Sequence, residues 1–233
     1  MDETEANTLN DMLSEIWAKP SYRNLIETYP VYFREIKKGG LMFVGMNPSF
    51  SPKRISGVLR DNDCVNLSID PECYFNYPNE DFDICVSNQI DTAMEKDYPF
   101  FKQHKKLANE LENHWGHLDL FQYRKTSQKD FLKIVTENNL VLNEFGIEQF
   151  ELFRSALVKS EANLIIIANA TASKIFKAEM SLGELKDDGT YALKLKDKTV
   201  PVFLSGMLTG GRALDVQSRE RLFWHIKKVY DSL

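Results

Sequence analysis

The residues in this chain best suited to chemistry gather at Gly45-Met46-Asn47-Pro48-Ser49. Glycine lets backbone approach a ligand closely, and proline fixes the turn that follows. Between them, Asn47 carries an amide that both donates and accepts, suited to holding a water or a base edge. The same amide is equally suited to bonding its own turn. The segment has neither the dinucleotide nor the P-loop glycine pattern, so it is not a phosphate cradle of those types. Asp119 stands where a strand is expected to end, placed either to bond a base edge or to accept a loop N–H. His104, His114 and His117 bracket a helix and the start of that strand and read as surface or core histidines. No Ser-His-Asp or Cys-His arrangement is legible from residue order. Cys64, Cys73 and Cys85 share one polar segment at spacings unlike zinc or iron–sulfur pairs. They read as reduced thiols, and neither metal nor cofactor is expected.

These residues need a scaffold, and the hydrophobic pattern predicts one. Leu9, Met12, Leu13, Ile16 and Trp17 recur at helical spacing, giving an opening helix that ends at Pro20. A second helical stretch is expected to run to Lys38, where Gly39-Gly40 stops it. Leu41-Met42-Phe43-Val44, His117-Leu118-Asp119-Leu120-Phe121, Leu164-Ile165-Ile166-Ile167-Ala168 and Val200-Pro201-Val202-Phe203-Leu204 read as four strands. Helices lie between them, one from about Pro99 to Trp115, and a last helix begins near Asp215. Trp115 and Trp224 are expected on helices, in the core. Asp188-Gly189 signals a hairpin ahead of Tyr191-Ala192-Leu193, predicting a small β-arm.

Strands alternating with helices imply one α/β domain over 1–233, a central, mostly parallel four-stranded sheet with helices on both faces. It carries an N-terminal helical extension (about 1–38) and an acidic insertion (about 51–97) read mostly as loop. In such sheets ligands bind at the carboxyl ends of strands. The loops beginning at Gly45, Gln122, Asn169 and Ser205 are therefore expected to line one site.

The chain has 233 residues, 43% of them hydrophobic, and a formal net charge of −5. That is enough apolar residue for a sizeable core and too much for a disordered chain. No apolar run spans a bilayer and the acidic start is not a signal peptide, so a soluble cytoplasmic protein without a membrane partner is expected. The acidic balance opposes nucleic-acid binding. Its distribution softens this, because ten acidic residues against one base, Lys96, fall between Asp61 and Asp97. Bases cluster instead at Lys53, Arg54 and Arg60, at Arg124 and Lys125, at Lys174, and at Arg212, Arg219 and Arg221, as a basic mouth or as scattered solvated charge.

Val44-Gly45-Met46-Asn47-Pro48-Ser49 resembles the first motif of the uracil-DNA glycosylase superfamily, nearest the form in mismatch-specific uracil and thymine glycosylases. Leu164 to Ala172 is similar to the family's third strand with its small-residue turn, and the order of elements follows the family across most of 41–230. The resemblance implies a three-layer uracil-DNA glycosylase-like fold and hydrolysis of the N-glycosidic bond of uracil or a modified or mismatched base flipped from DNA. It implies that Asn47 orients the attacking water. Gly45, Met46, Pro48, Ser49, Phe50, Asp119, Asn169 and Ser205 would surround the base. Gly206, Met207, Leu208, Thr209, Gly210, Gly211 and Arg212 would meet DNA, with Met207-Leu208 as an apolar wedge. The sequence departs from the family in three places, the long acidic insertion being one. The stacking aromatic expected about a dozen residues beyond the motif is replaced by Val58-Leu59-Arg60, leaving Phe50, Tyr74 or Phe75 to substitute, and Ser205-Gly206 stands where the second motif starts His-Pro-Ser. A non-catalytic nucleobase-, nucleotide- or DNA-binding module and a small N-glycoside hydrolase are the other readings.

Overall fold

A computed structural model describes residues 3–35, 37–61 and 69–233; Cys64 lies outside them. Five strands form one mixed, mostly parallel sheet: β1 (Leu41–Gly45), β2 (Trp115–Asp119), β3 (Leu164–Ala168), β4 (Tyr191–Leu195) and β5 (Lys198–Ser205). Their order is β2-β1-β3-β5-β4, with β4 alone antiparallel to its neighbour.

β1 and β3 are buried at every position, as their continuous apolar runs require. Period-two alternation sends their side chains to opposite layers. Met42, Val44, Ile165 and Ile167 pack with α1 (Glu3–Ala18), α7 (Glu144–Ser160) and α8 (Ala170–Glu179). Leu41, Phe43, Leu164 and Ile166 pack with α5 (Lys102–Glu110) and α9 (Val216–Tyr230). Helices thus cover both faces, and no helix among the described residues is long and apolar enough to cross a membrane.

Several expectations are corrected. The stretch after Pro20 is not a helix. Past a 3-10 turn (Pro20–Tyr22) the chain runs extended, held by Tyr29 N–H to Phe75 O at 2.8 Å and Val31 N–H to Gln122 O at 2.9 Å. Asn10 brackets it at Phe33, donating to the Phe33 carbonyl at 2.9 Å and accepting its N–H at 2.7 Å. Tertiary partners for the backbone outweigh local propensity here. The acidic insertion is largely helical, with α2 (Pro52–Asp61), α3 (Pro71–Tyr74) and α4 (Ile84–Asp97) around a small core of Ile55, Leu59, Phe75 and Ile90. Its aspartates are helix caps as well as loop residues: Asp70 accepts from Glu72 N–H, and Asp83 from the N–H groups of Cys85 and Val86.

The β-arm is a fifth strand of the main sheet, and its hairpin turn is Lys196-Asp197 rather than Asp188-Gly189. Lys196 has φ of 48° there, while Gly189 closes an earlier turn onto Lys186. The helix expected from Pro99 to Trp115 is shorter, a 3-10 turn (Pro99–Phe101) leading into α5, and Trp115 opens β2. Trp224 is 56% exposed on α9, not core. The remaining helix, α6 (Gln128–Val135), follows the β2 loop.

Candidate active site

The loops after β1, β2, β3 and β5 meet at one end of the sheet, where a cleft of about 780 Å³ opens. Parallel β2-β1-β3 pairing sets Gly45 opposite Asp119 and brings the carboxyl ends of all three strands side by side. Gly45, Met46, Asn47, Pro48, Ser49, Asp119, Asn169, Met207, Thr209, Gly210, Gly211 and Arg212 line the cleft. Phe50, Ser205, Gly206 and Leu208 do not.

Asn47 is fixed on one side. Its Nδ2 donates to the carbonyls of Lys125 at 2.7 Å, Pro48 at 3.1 Å and Tyr123 at 3.2 Å. Three acceptors around one NH₂ determine which way the amide faces. The loop after β1 is sewn to the loop after β2 by this group, by Phe121 N–H to Met46 O and by Lys125 N–H to Pro48 O. Among the described residues no donor meets Asn47 Oδ1, which leaves a preoriented acceptor on a half-buried residue of the cleft wall. The nitrogen thus ties the loops together, and the oxygen has no partner among the described residues.

Asp119 lies 3.3 Å from His117 Nε2, the two side chains 15% and 12% exposed. Their closeness to β1 depends on glycine, since a Cβ on Gly45 would stand 2.2 Å from Asp119 Oδ1. Beneath them His104 is fully buried between Phe43, Phe100, Phe101 and Trp115, and neither ring nitrogen has a hydrogen-bond partner. Burial, followed by the nearby His117, pushes the His104 pKa down to about 3.

No model of a known protein family matches this chain, and no curated protein does. Geometry alone therefore ranks the remaining residues. The substitute aromatics expected in the insertion are not at the cleft: Tyr74 and Phe75 are buried in the insertion's own core, and Phe50 packs edge-on to Phe75 at 5.9 Å. Sequence reasoning missed Tyr98, Phe100 and Phe101, which do line the cleft. The signal was present as an aromatic run, Tyr98-Pro99-Phe100-Phe101, closing an otherwise polar insertion. Phe100 and Phe101 stand edge-on to His117, with ring centroids 5.9 and 5.1 Å away.

The loop after β5 is anchored differently. Leu208 is 1% exposed and packs with Phe203, Phe223 and Ile226, so it is core rather than a wedge. Its side chain fills the layer above α9, which a wedge must leave free. Thr209 Oγ1 donates to the Phe100 carbonyl at 3.0 Å, joining this loop to the aromatic turn. Ser205 offers its carbonyl to Ser173 Oγ at 3.1 Å, away from the cleft. Asn169 caps α8, its Oδ1 accepting from Thr171 and Ala172 N–H.

The basic mouth is also reduced. Arg124 is buried, bidentate to Asp91 at 3.0 and 2.7 Å, and lies over the Phe75 ring. Arg34 pairs with Glu95 and Lys125 with Glu27. Arg54 lies over Tyr98, and Arg212 is exposed with no ion-pair partner among the described residues.

Proposed function

We propose that the chain is a uracil-DNA glycosylase-like N-glycosyl hydrolase, taking a uracil-type, modified or mismatched base into the cleft and hydrolysing its bond to the sugar. The observation that carries this reading is Asn47: its nitrogen is committed to the carbonyls of Pro48, Tyr123 and Lys125, and its oxygen is not. A fixed acceptor orients a water without a conformational step. Attack then proceeds through an oxocarbenium-like state. The water oxygen bonds the anomeric carbon as the C–N bond breaks, its electron pair leaves with the base, and the water's proton is shed to solvent or base. An amide holds water well and accepts a proton poorly, which suits a slow enzyme. The volume falls within the roughly 300–1,000 Å³ typical of small-molecule clefts, so a purine or pyrimidine nucleoside fits.

A second reading, a hydrolase or binding module for a free nucleoside, draws support from the buried Leu208 and the paired Arg124 and Lys125, which leave Met207 as the one remaining wedge residue and take two cations from the mouth. Base release from duplexes carrying uracil, mismatched thymine or modified bases, run beside the free nucleosides, separates the readings. Release from duplex alone supports a DNA glycosylase. Release from nucleosides alone removes DNA, and release from neither overturns hydrolysis.

A further inference from the structure

Resting on the reading of the cleft as a nucleobase site, the geometry points to a specific kind of base: one with a ring N–H beside an exocyclic amine, the edge that guanine and isocytosine present and uracil lacks. At the carboxyl ends of β1 and β2 the cleft wall presents the acceptor oxygens of Asp119 and Asn47, while Arg34, Arg124 and Lys125, which also line it, are paired with Glu95, Asp91 and Glu27. Asp119, as a carboxylate, only accepts, with about four lone-pair positions on its two oxygens. Its one side-chain partner among the described residues is His117 Nε2, at 3.3 Å, and no lysine or arginine pairs with it. Asn47 exposes its oxygen because its nitrogen is spent on three carbonyls. Gln122, also on the wall, donates its amide nitrogen to the Asp119 carbonyl at 3.3 Å.

A carboxylate is matched bidentately by two parallel N–H donors. Uracil linked to a sugar presents one N–H flanked by two carbonyls, and the free base adds only N1–H beside a carbonyl and a C–H, so neither offers two parallel N–H donors to the carboxylate. Gly45 keeps the carboxylate in place, because any Cβ there would collide with Asp119 Oδ1. Phe100 and Phe101, beside His117, offer the apolar ring surface against which a flat base packs while its edge meets Asp119.

The test is equilibrium binding by titration calorimetry in two pairs that differ only at this edge: guanosine against inosine, and isocytosine against uracil. Wild type is expected to favour guanosine and isocytosine by at least about tenfold, the factor that 1.4 kcal/mol represents. Asp119→Asn replaces one acceptor oxygen with a donor and is expected to remove the preference or reverse it, with melting temperature confirming that the variant folds. Equal binding within both pairs, tighter binding of inosine or uracil, no binding of any of the four, or a preference that survives Asp119→Asn would each overturn the inference. Base release from uracil duplexes without a guanosine preference would sink this inference and leave the hydrolase reading standing. A guanosine preference without release of any base would do the reverse.

Discussion

The loops after β1 and β5 border the same cleft but are held by opposite means. The first is bonded crosswise to its neighbour through Asn47 Nδ2 and through backbone bonds from Leu120, Phe121 and Lys125 to Gly45, Met46 and Pro48. The second closes on itself, Leu214 N–H to Met207 O at 2.8 Å and Ala213 N–H to Gly210 O at 3.1 Å. Beyond that it rests on buried Leu208, on half-buried Leu214 packed against the same core, and on a hydroxyl bond from Thr209. Crosswise hydrogen bonds hold an atom in place, which chemistry requires, while apolar anchors at Leu208 and Leu214 hold a loop's position and leave its exposed glycine tip less constrained. On the hydrolase reading proposed above, the first loop is the one built to orient a reactant.

Three perturbations test that contrast, from the largest expected effect to the smallest. Leu208→Ala should cost about 2–5 kcal/mol of stability, measured by chemical denaturation, because it opens a cavity against Phe223 and Ile226. A cost below about 0.5 kcal/mol would mean that the β5 loop does not depend on this anchor.

The corner under the β1 loop should respond to acid. His104 is held neutral when folded and takes up a proton near its ordinary value of 6.5 when unfolded. Stability is therefore complete above pH 6.5 and falls as pH drops from there toward 3, by on the order of 1.4 kcal/mol per unit within that window. His104→Leu should flatten this slope and leave neutral-pH stability equal or higher, since two unpartnered buried nitrogens are removed. An unchanged slope in His104→Leu would place the acid sensitivity elsewhere.

Thr209→Val, smallest of the three, should lower stability by roughly 0.5–1.5 kcal/mol through loss of the bond to Phe100 O. It should also loosen the aromatic turn, read as weaker binding of a flat ligand with base release per bound molecule unchanged.

Much of this was legible in the sequence where one physical signal dominated. Leu41–Gly45 and Leu164–Ala168 are buried on both faces, and continuous apolar runs report that directly. The convergence of Asn47, Asp119, Asn169 and the β5 loop follows from parallel strands sharing their carboxyl ends. What failed was local pattern overruled by distant partners. Asp83 and Asp70 resembled loop markers because a cap and a turn use the same residue types. Leu208 in a glycine-rich loop resembled a wedge because nothing local records that α9 lies beneath it. Arg124 was counted as a mouth cation because its partner, Asp91, lies 33 residues away in a helix read as loop.

On the hydrolase reading proposed above, Asn47 does two separable things, tying loops with its nitrogen and orienting water with its oxygen. Asn47→Ala removes both, and single-turnover base release measured beside unfolding free energy distinguishes them. A stability loss of about 1–3 kcal/mol is expected from the orphaned carbonyls of Tyr123 and Lys125. The proposed water-holding role of the oxygen requires that release, assayed where the variant is fully folded, fall by on the order of 10²-fold or more. Release at the wild-type rate from a folded Asn47→Ala variant would contradict it.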